Sequence, residues 1–407
     1  MRALALPLSV VLLVGCPAAT AAPDAAPADT GPADLGTDAA STDAAQGDAG
    51  PLPEPRADYG ALGPHAVGNV TVTMMDRTGL RMLPVEIWYP AVESARAEAT
   101  AGRSIETFEA GTPHATDLHD LVLAAPAACV RRTMHSAAAP AALTGPALFP
   151  VVVFSHCHSC TRFDMAEAAE RLASHGIVVA APDHLTNTLW DELLGMSATI
   201  GAPFLAVRAS DVSSVLDRLL DPTATEVPAD LRGRLDPAHA GVMGHSFGAA
   251  TTSLVIETDA RFIAALAVAA PISVIGGVRI ADLHVPYLFL LMREDNSVGE
   301  IGNRLIRADY THVGASAAIV ELDDAGHWSI SDLCGLIHAF DAGCGDGVRG
   351  SPPAGAAFTY VDPNLAREVA ADTAAAFFAT HLLEDPGGDT VLRRLDGTQG
   401  AHVSLRR

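Results

Sequence analysis

The chain runs to 407 residues and carries 48 acidic against 25 basic side chains, a formal net charge of −23. That balance argues against a polyanionic partner such as nucleic acid. Apolar residues make up 49% and aromatics 5%, enough for a large core built mainly from Ala, Val, Leu and Ile.

The amino end predicts an export leader over residues 1–16. Arg2 supplies a positive start, and Leu4 to Val14 is an apolar run too short to span a bilayer. The run ends Leu13-Val14-Gly15-Cys16, which is similar to a bacterial lipobox and marks Cys16 for lipidation. A plain secretory leader cut near Ala19–Ala22 is the alternative. Residues 17–58 are Ala, Asp, Pro, Gly and Thr with hardly a large apolar side chain. They read as a disordered acidic tether, because nothing there buries enough surface to offset the entropy of ordering. The expected location is a bacterial cell envelope, with the chain lipid-anchored, at the outer membrane by preference, or secreted.

Residues 59–407 are expected to form one α/β domain. Val70–Met75 and Pro84–Pro90, joined through Asp76-Arg77-Thr78-Gly79, predict an antiparallel edge hairpin. An Ala-rich insertion follows over 93–147. Then short apolar runs (150–154, 177–181, 240–243, 262–269, 287–292 and 317–321) alternate with helical stretches (165–175, 204–220, 249–257 and 364–382). That rhythm predicts a mostly parallel sheet with helices on both faces, whose chemistry lies at the carboxyl ends of the strands.

One motif sits at such an end. Gly244-His245-Ser246-Phe247-Gly248 follows an apolar strand and precedes a small-residue helix, the setting in which G-x-S-x-G presents a nucleophilic serine. A chance match in a Gly-rich turn is the bland reading of five residues alone. The flanking glycines are expected to supply the tight turn. A serine hydroxyl needs a base and the base an orienting acid, met in the chain order Ser, acid, His. Asp295, a few residues past the strand 287–292, and His327, in the loop after 317–321, fill those places. Each alone reads as an ordinary turn or loop residue; their order and their strand-end positions make the case. Asp323 and Asp324 read as solvated loop acids. The oxyanion hole is expected from the Phe247 amide and from the loop Ser155-His156-Cys157-His158-Ser159-Cys160.

Five cysteines remain after Cys16. Cys334 and Cys344, flanking a Gly/Asp-rich loop, are the expected disulfide. Cys129, Cys157 and Cys160 leave an odd thiol, and spacing does not give their connectivity; a Cys157–Cys160 bridge stiffening the oxyanion loop and free buried thiols both stay open. A metal site there, with His156, His158 and His184 nearby, is disfavoured because further soft ligands at a recognisable spacing are missing.

Phe154-Ser155-His156, the run Ala173 to His184, Met243 to Thr251, Leu83 to Ala91 and Arg208 to Asp211 with Leu216-Asp217 together resemble the bacterial dienelactone-hydrolase-like esterases. They are also similar to the platelet-activating-factor acetylhydrolases of the α/β-hydrolase superfamily. The likeness spans about residues 65 to 385. It implies a serine esterase acting on short-acyl or acetylated and oxidised phospholipid esters, without metal or organic cofactor. It makes Ser246 the nucleophile, His327 the base, and the backbone of Phe247 and His158 the oxyanion donors. Two departures stand out. Cys157 occupies the place of a family glycine, and the acetylhydrolase acid position falls on Ala269, so Asp295 is expected to serve instead. A non-catalytic envelope lipoprotein on the same scaffold, or an amidase, lactonase or thioesterase with the same triad, are the competing functions. The residues carry no signal for oligomeric state.

Overall fold

Runs of Val, Ala, Leu and Phe form the strands because both sheet faces are covered, leaving no position for the polar half of an alternating pattern. In the computed structural model, which describes residues 54–138 and 148–406, ten strands make one sheet. Its order is Ala401–Arg406, Ala317–Leu322, Tyr287–Met292, Phe262–Val268, Leu235–His245, Phe149–Ser155, Val178–Pro182, Met82–Ala91, Ala66–Met75 and the two-residue Ala137–Ala138. The six strands from Ala317–Leu322 to Val178–Pro182 run parallel. The expected hairpin, Ala66–Met75 with Met82–Ala91, joins them antiparallel. This is the α/β-hydrolase fold. The leader, Cys16 and most of the tether lie outside the described residues.

Alternate strand residues feed two apolar layers. Val152, Phe154 and Val179 join the layer under helices Ala166–Ser174 and Pro363–Leu382. Val151, Val153 and Val178 join the layer under helices Ala202–Leu220 and Phe247–Thr258. All these side chains are buried, so the sheet is held by apolar contact on both sides.

Two features depart from expectation. Past the last helical stretch read from the sequence, a further helix Gly388–Leu395 forms, and strand Ala401–Arg406 adds antiparallel to Ala317–Leu322. Its short alternating pattern, half exposed at an edge, carries little signal. At the other end, order begins before Tyr59. The Arg56 amide donates to Asp385 Oδ2 at 2.8 Å, and its guanidinium reaches the carbonyls of Leu383 and Glu384.

The insertion is tied down by buried charge. Arg162 donates to Glu109 Oε1 at 2.7 Å, Asp183 Oδ2 at 2.8 Å and Glu86 Oε2 at 3.2 Å, and also to the Phe108 carbonyl. One guanidinium thus joins the insertion to strand Met82–Ala91 and to the residue that follows strand Val178–Pro182.

Candidate active site

The parallel register sets the carboxyl ends side by side: Ser155 pairs with Gly244, and Gly244 and His245 pair with Ala267 and Val268. Ser246 follows at once, with φ 56° and ψ −115°. For a residue with a Cβ that is a strained backbone, a state costing on the order of 1–3 kcal/mol and concentrated at functional sites. It is held by the Ser246 amide donating to the Val268 carbonyl at 2.7 Å. The glycines act differently from expectation. The positive φ belongs to Ser246, while Gly244 and Gly248 serve close approach. A Cβ on Gly248 would lie 1.8 Å from the Ser155 carbonyl oxygen, and one on Gly244 would lie 2.1 Å from the Gly248 carbonyl oxygen. The helix Phe247–Thr258 starts here, so its first amides have no intrahelical acceptor.

Asp295 lies three residues beyond strand Tyr287–Met292, and His327 five beyond strand Ala317–Leu322. The structure joins them: His327 Nδ1 stands 2.7 Å from Asp295 Oδ2, and both residues are buried. The other carboxylate oxygen accepts from the amides of Ser297 at 2.8 Å and Val298 at 3.0 Å. Asp295 thus caps the turn that follows it with one oxygen and meets the imidazole with the other. His327 also packs on the residue before Ser246, its ring 4.9 Å from that of His245. Asp323 and Asp324 point elsewhere, to Arg293 and His402 and to Arg349. Ala269, with φ 60°, brings no carboxylate.

The loop after Phe149–Ser155 is fixed from behind by a buried network. Arg208 donates to Ser155 Oγ at 3.0 Å, to Asn187 Oδ1 at 2.5 Å and to the His156 carbonyl. Its guanidinium carbon also lies 4.8 Å from the centre of the Phe247 ring. His184 Nε2 meets Ser155 Oγ at 2.9 Å and its Nδ1 meets Asp211 Oδ2 at 2.9 Å. Burial, with the Arg208 charge, pushes His156 and His184 well below the ordinary histidine range. Neutral His184 then donates from Nδ1 and accepts at Nε2. His158 Nδ1 is 2.6 Å from Asn187 Nδ2, and its ring lies 6.3 Å from that of Phe247. The left-handed residue of this loop is Ser159, φ 58°. The place of the family glycine, Cys157, therefore carries no such strain.

The cysteine pairing corrects one expectation. Cys344 bonds Cys129, 215 residues away, and Cys334 is a buried free thiol. The insertion folds over the His327 loop and brings Cys129 to it, while Cys334 faces the apolar layer. Burial pushes that thiol up to about 12. Proximity along the chain was a poor guide to a long-range bond. Cys157 and Cys160 do form a disulfide.

Sequence reasoning passed over Asp164 and His245. His245 Nδ1 is 2.8 Å from Asp164 Oδ2, and both are wholly buried. With Cys157 they place donor atoms within 4.8 Å of one another, but the sulfur is spent on the disulfide and the other two groups on each other. The signal available was the histidine inside the elbow motif itself.

Comparison with known proteins follows the same lines. The family model of platelet-activating factor acetylhydrolase, isoform II, matches residues 58–189 and 210–334. Cutinase est1 of Thermobifida alba is 32% identical over 104 residues, which is 26% of this chain and 29% of that protein. A ferulic acid esterase from Streptomyces cinnamoneus superposes with a TM-score of 0.59 at 22% identity, covering 88% of this chain and 100% of that one. That likeness is one of fold. With more than half its length matched, and with the elbow, the acid and the histidine on one sheet rim, the chain belongs to the platelet-activating factor acetylhydrolase isoform II family of α/β-hydrolase-like esterases.

Proposed function

We propose that the chain is a serine hydrolase of carboxylic esters, acting on short-acyl or acetylated and oxidised phospholipid esters, exported and anchored through Cys16. The observation that carries the reading is the buried 2.7 Å bond from His327 to Asp295, on a loop packed against the strained Ser246 turn. Ser246 Oγ attacks the ester carbonyl carbon while His327 Nε2 takes its proton. The carbonyl π electrons move onto oxygen, and the amides of Phe247 and His158 receive that oxyanion, each donor worth roughly 3–4 kcal/mol. Collapse breaks the C–O bond, and the leaving alcohol takes the proton from His327. Water, deprotonated by the same ring, then attacks the acyl-enzyme and releases the acid and free Ser246. Asp295 holds the ring with Nδ1 protonated, leaving Nε2 free for both transfers.

Ser246→Ala should abolish turnover of p-nitrophenyl acetate and butyrate and prevent labelling by a fluorophosphonate probe, with the circular dichroism spectrum unchanged. Labelling elsewhere, or persistent turnover, overturns the reading. A panel from acetyl to long-acyl esters, with an oxidised phospholipid and a polyester film, sets the substrate class. The anchor has its own test in a bacterial host, where Cys16→Ser should move the protein from the membrane to the soluble fraction.

A further inference from the structure

A further buried aspartate–histidine pair, Asp164 with His245, adjoins the His327–Asp295 pair and bonds three of the segments around Ser246. Asp164 Oδ2 meets His245 Nδ1 at 2.8 Å and accepts from the Cys157 amide at 3.4 Å. Its Oδ1 accepts from Ser331 Oγ at 2.5 Å, and its main-chain carbonyl accepts from the Asp332 amide at 2.8 Å. One residue therefore links the oxyanion loop, the elbow and the loop that carries His327. His245 completes the link, with Nε2 3.2 Å from the His327 carbonyl oxygen.

The partners of His245 decide its state. A carboxylate oxygen and a carbonyl oxygen are both acceptors, so a ring bonded to both must donate from both nitrogens. His184 differs, since one of its nitrogens faces a hydroxyl that donates to it. Asp164 in turn is surrounded by donors, from His245, Ser331 and Cys157, and these hold its charged form.

We infer that Asp164 and a doubly protonated His245 are positioning residues for the reaction: the imidazolium grips the His327 carbonyl and so sets where the catalytic ring stands. This rests on the proposed roles of Ser246 and His327. The ring of His327 is fixed at Nδ1 by Asp295, but a ring held at one atom still pivots about it. Fixing the main chain of the same residue removes that freedom, and catalytic geometry is sensitive to shifts of about 1 Å.

The test uses the full chain. Asp164→Asn should lower kcat by up to about 100-fold and leave KM nearly unchanged, while a fluorophosphonate titration still counts one reactive serine per molecule, more slowly. Wild-type kcat in that variant overturns the inference. The unmodified enzyme gives a second reading, independent of how variants fold. Ring-¹⁵N-labelled histidine should show both nitrogens of His245 protonated, assigned by the loss of those signals in His245→Gln. An unprotonated His245 nitrogen overturns the inference. If Ser246→Ala kept turnover, the catalytic assignment itself would fail, a distinct result.

Discussion

Ser246 shows how much one residue's surroundings add to a motif. The sequence motif identified the hydroxyl, yet it placed the conformational burden on the glycines, whereas the backbone puts it on the serine and uses the glycines for contact. Gly248→Ala should cost activity and fold together, because its methyl would enter the Ser155 carbonyl; the readout is soluble yield and thermal midpoint alongside turnover. Asp295→Asn keeps the shape but favours the wrong ring tautomer, and kcat should fall by about 10³–10⁴. A change under tenfold would assign the acid elsewhere. Asp295 and His327 were legible because chain order and strand ends constrain them. Asp164 was not, since its carboxylate reaches the site across 81 residues of sequence separation from His245, and nothing local marks it.

Among the elements, the loop after Phe149–Ser155 and the insertion are each fixed by a disulfide, with different consequences. Cys157–Cys160 closes a separation of only 3 residues, so it constrains the unfolded chain little. Its place is the loop whose carbonyl and side chains Arg208 and His184 hold. Replacing both cysteines by serine should leave the thermal midpoint nearly unchanged and reduce kcat roughly 10-fold, through displaced amides. Cys129–Cys344 closes a separation of 215 residues, and Cys129→Ser should cost about 2–5 kcal/mol in denaturant unfolding. Non-reduced peptide mapping should recover that pair and a free Cys334. The parallel strands were readable from their apolar runs. The insertion was not, for its placement depends on Arg162 and on the distant Cys344 rather than on any periodicity of its own.

At the scale of the molecule, a charge cluster ties the hairpin to the opposite layer. Arg77, in the turn between the first two strands, meets Asp217 and Asp259, and Arg261 meets the same two acids. Burial alone would raise the Asp259 carboxyl, but the hydrogen bonds from Arg261 and Ser213 and the Arg261 charge outweigh it and hold it at about 2. A carboxyl depressed on folding stabilises above its unfolded range, near pH 4, and loses that contribution as pH falls toward 2. Allowing for partial solvent screening, about 1–2 kcal/mol is at stake. Asp259→Asn should therefore lower stability at neutral pH and flatten the acid limb of the stability curve, measured by urea unfolding between pH 2 and 7.

Both described ends of the chain leave at one rim. Arg56 and Gly63 bind where helices Pro363–Leu382 and Ala166–Ser174 finish, at Asp385 and Ser174. Arg406 pairs with Ala317, the first residue of its strand, and donates to the carbonyls of Tyr310 and Val313. These are the amino ends of the parallel strands, whereas Ser246, Asp295 and His327 follow the carboxyl ends. A tag or fused protein joined directly at residue 54 or at residue 406 would thus hold the domain by the amino ends of its parallel strands, leaving the rim of Ser246, Asp295 and His327 turned to the medium.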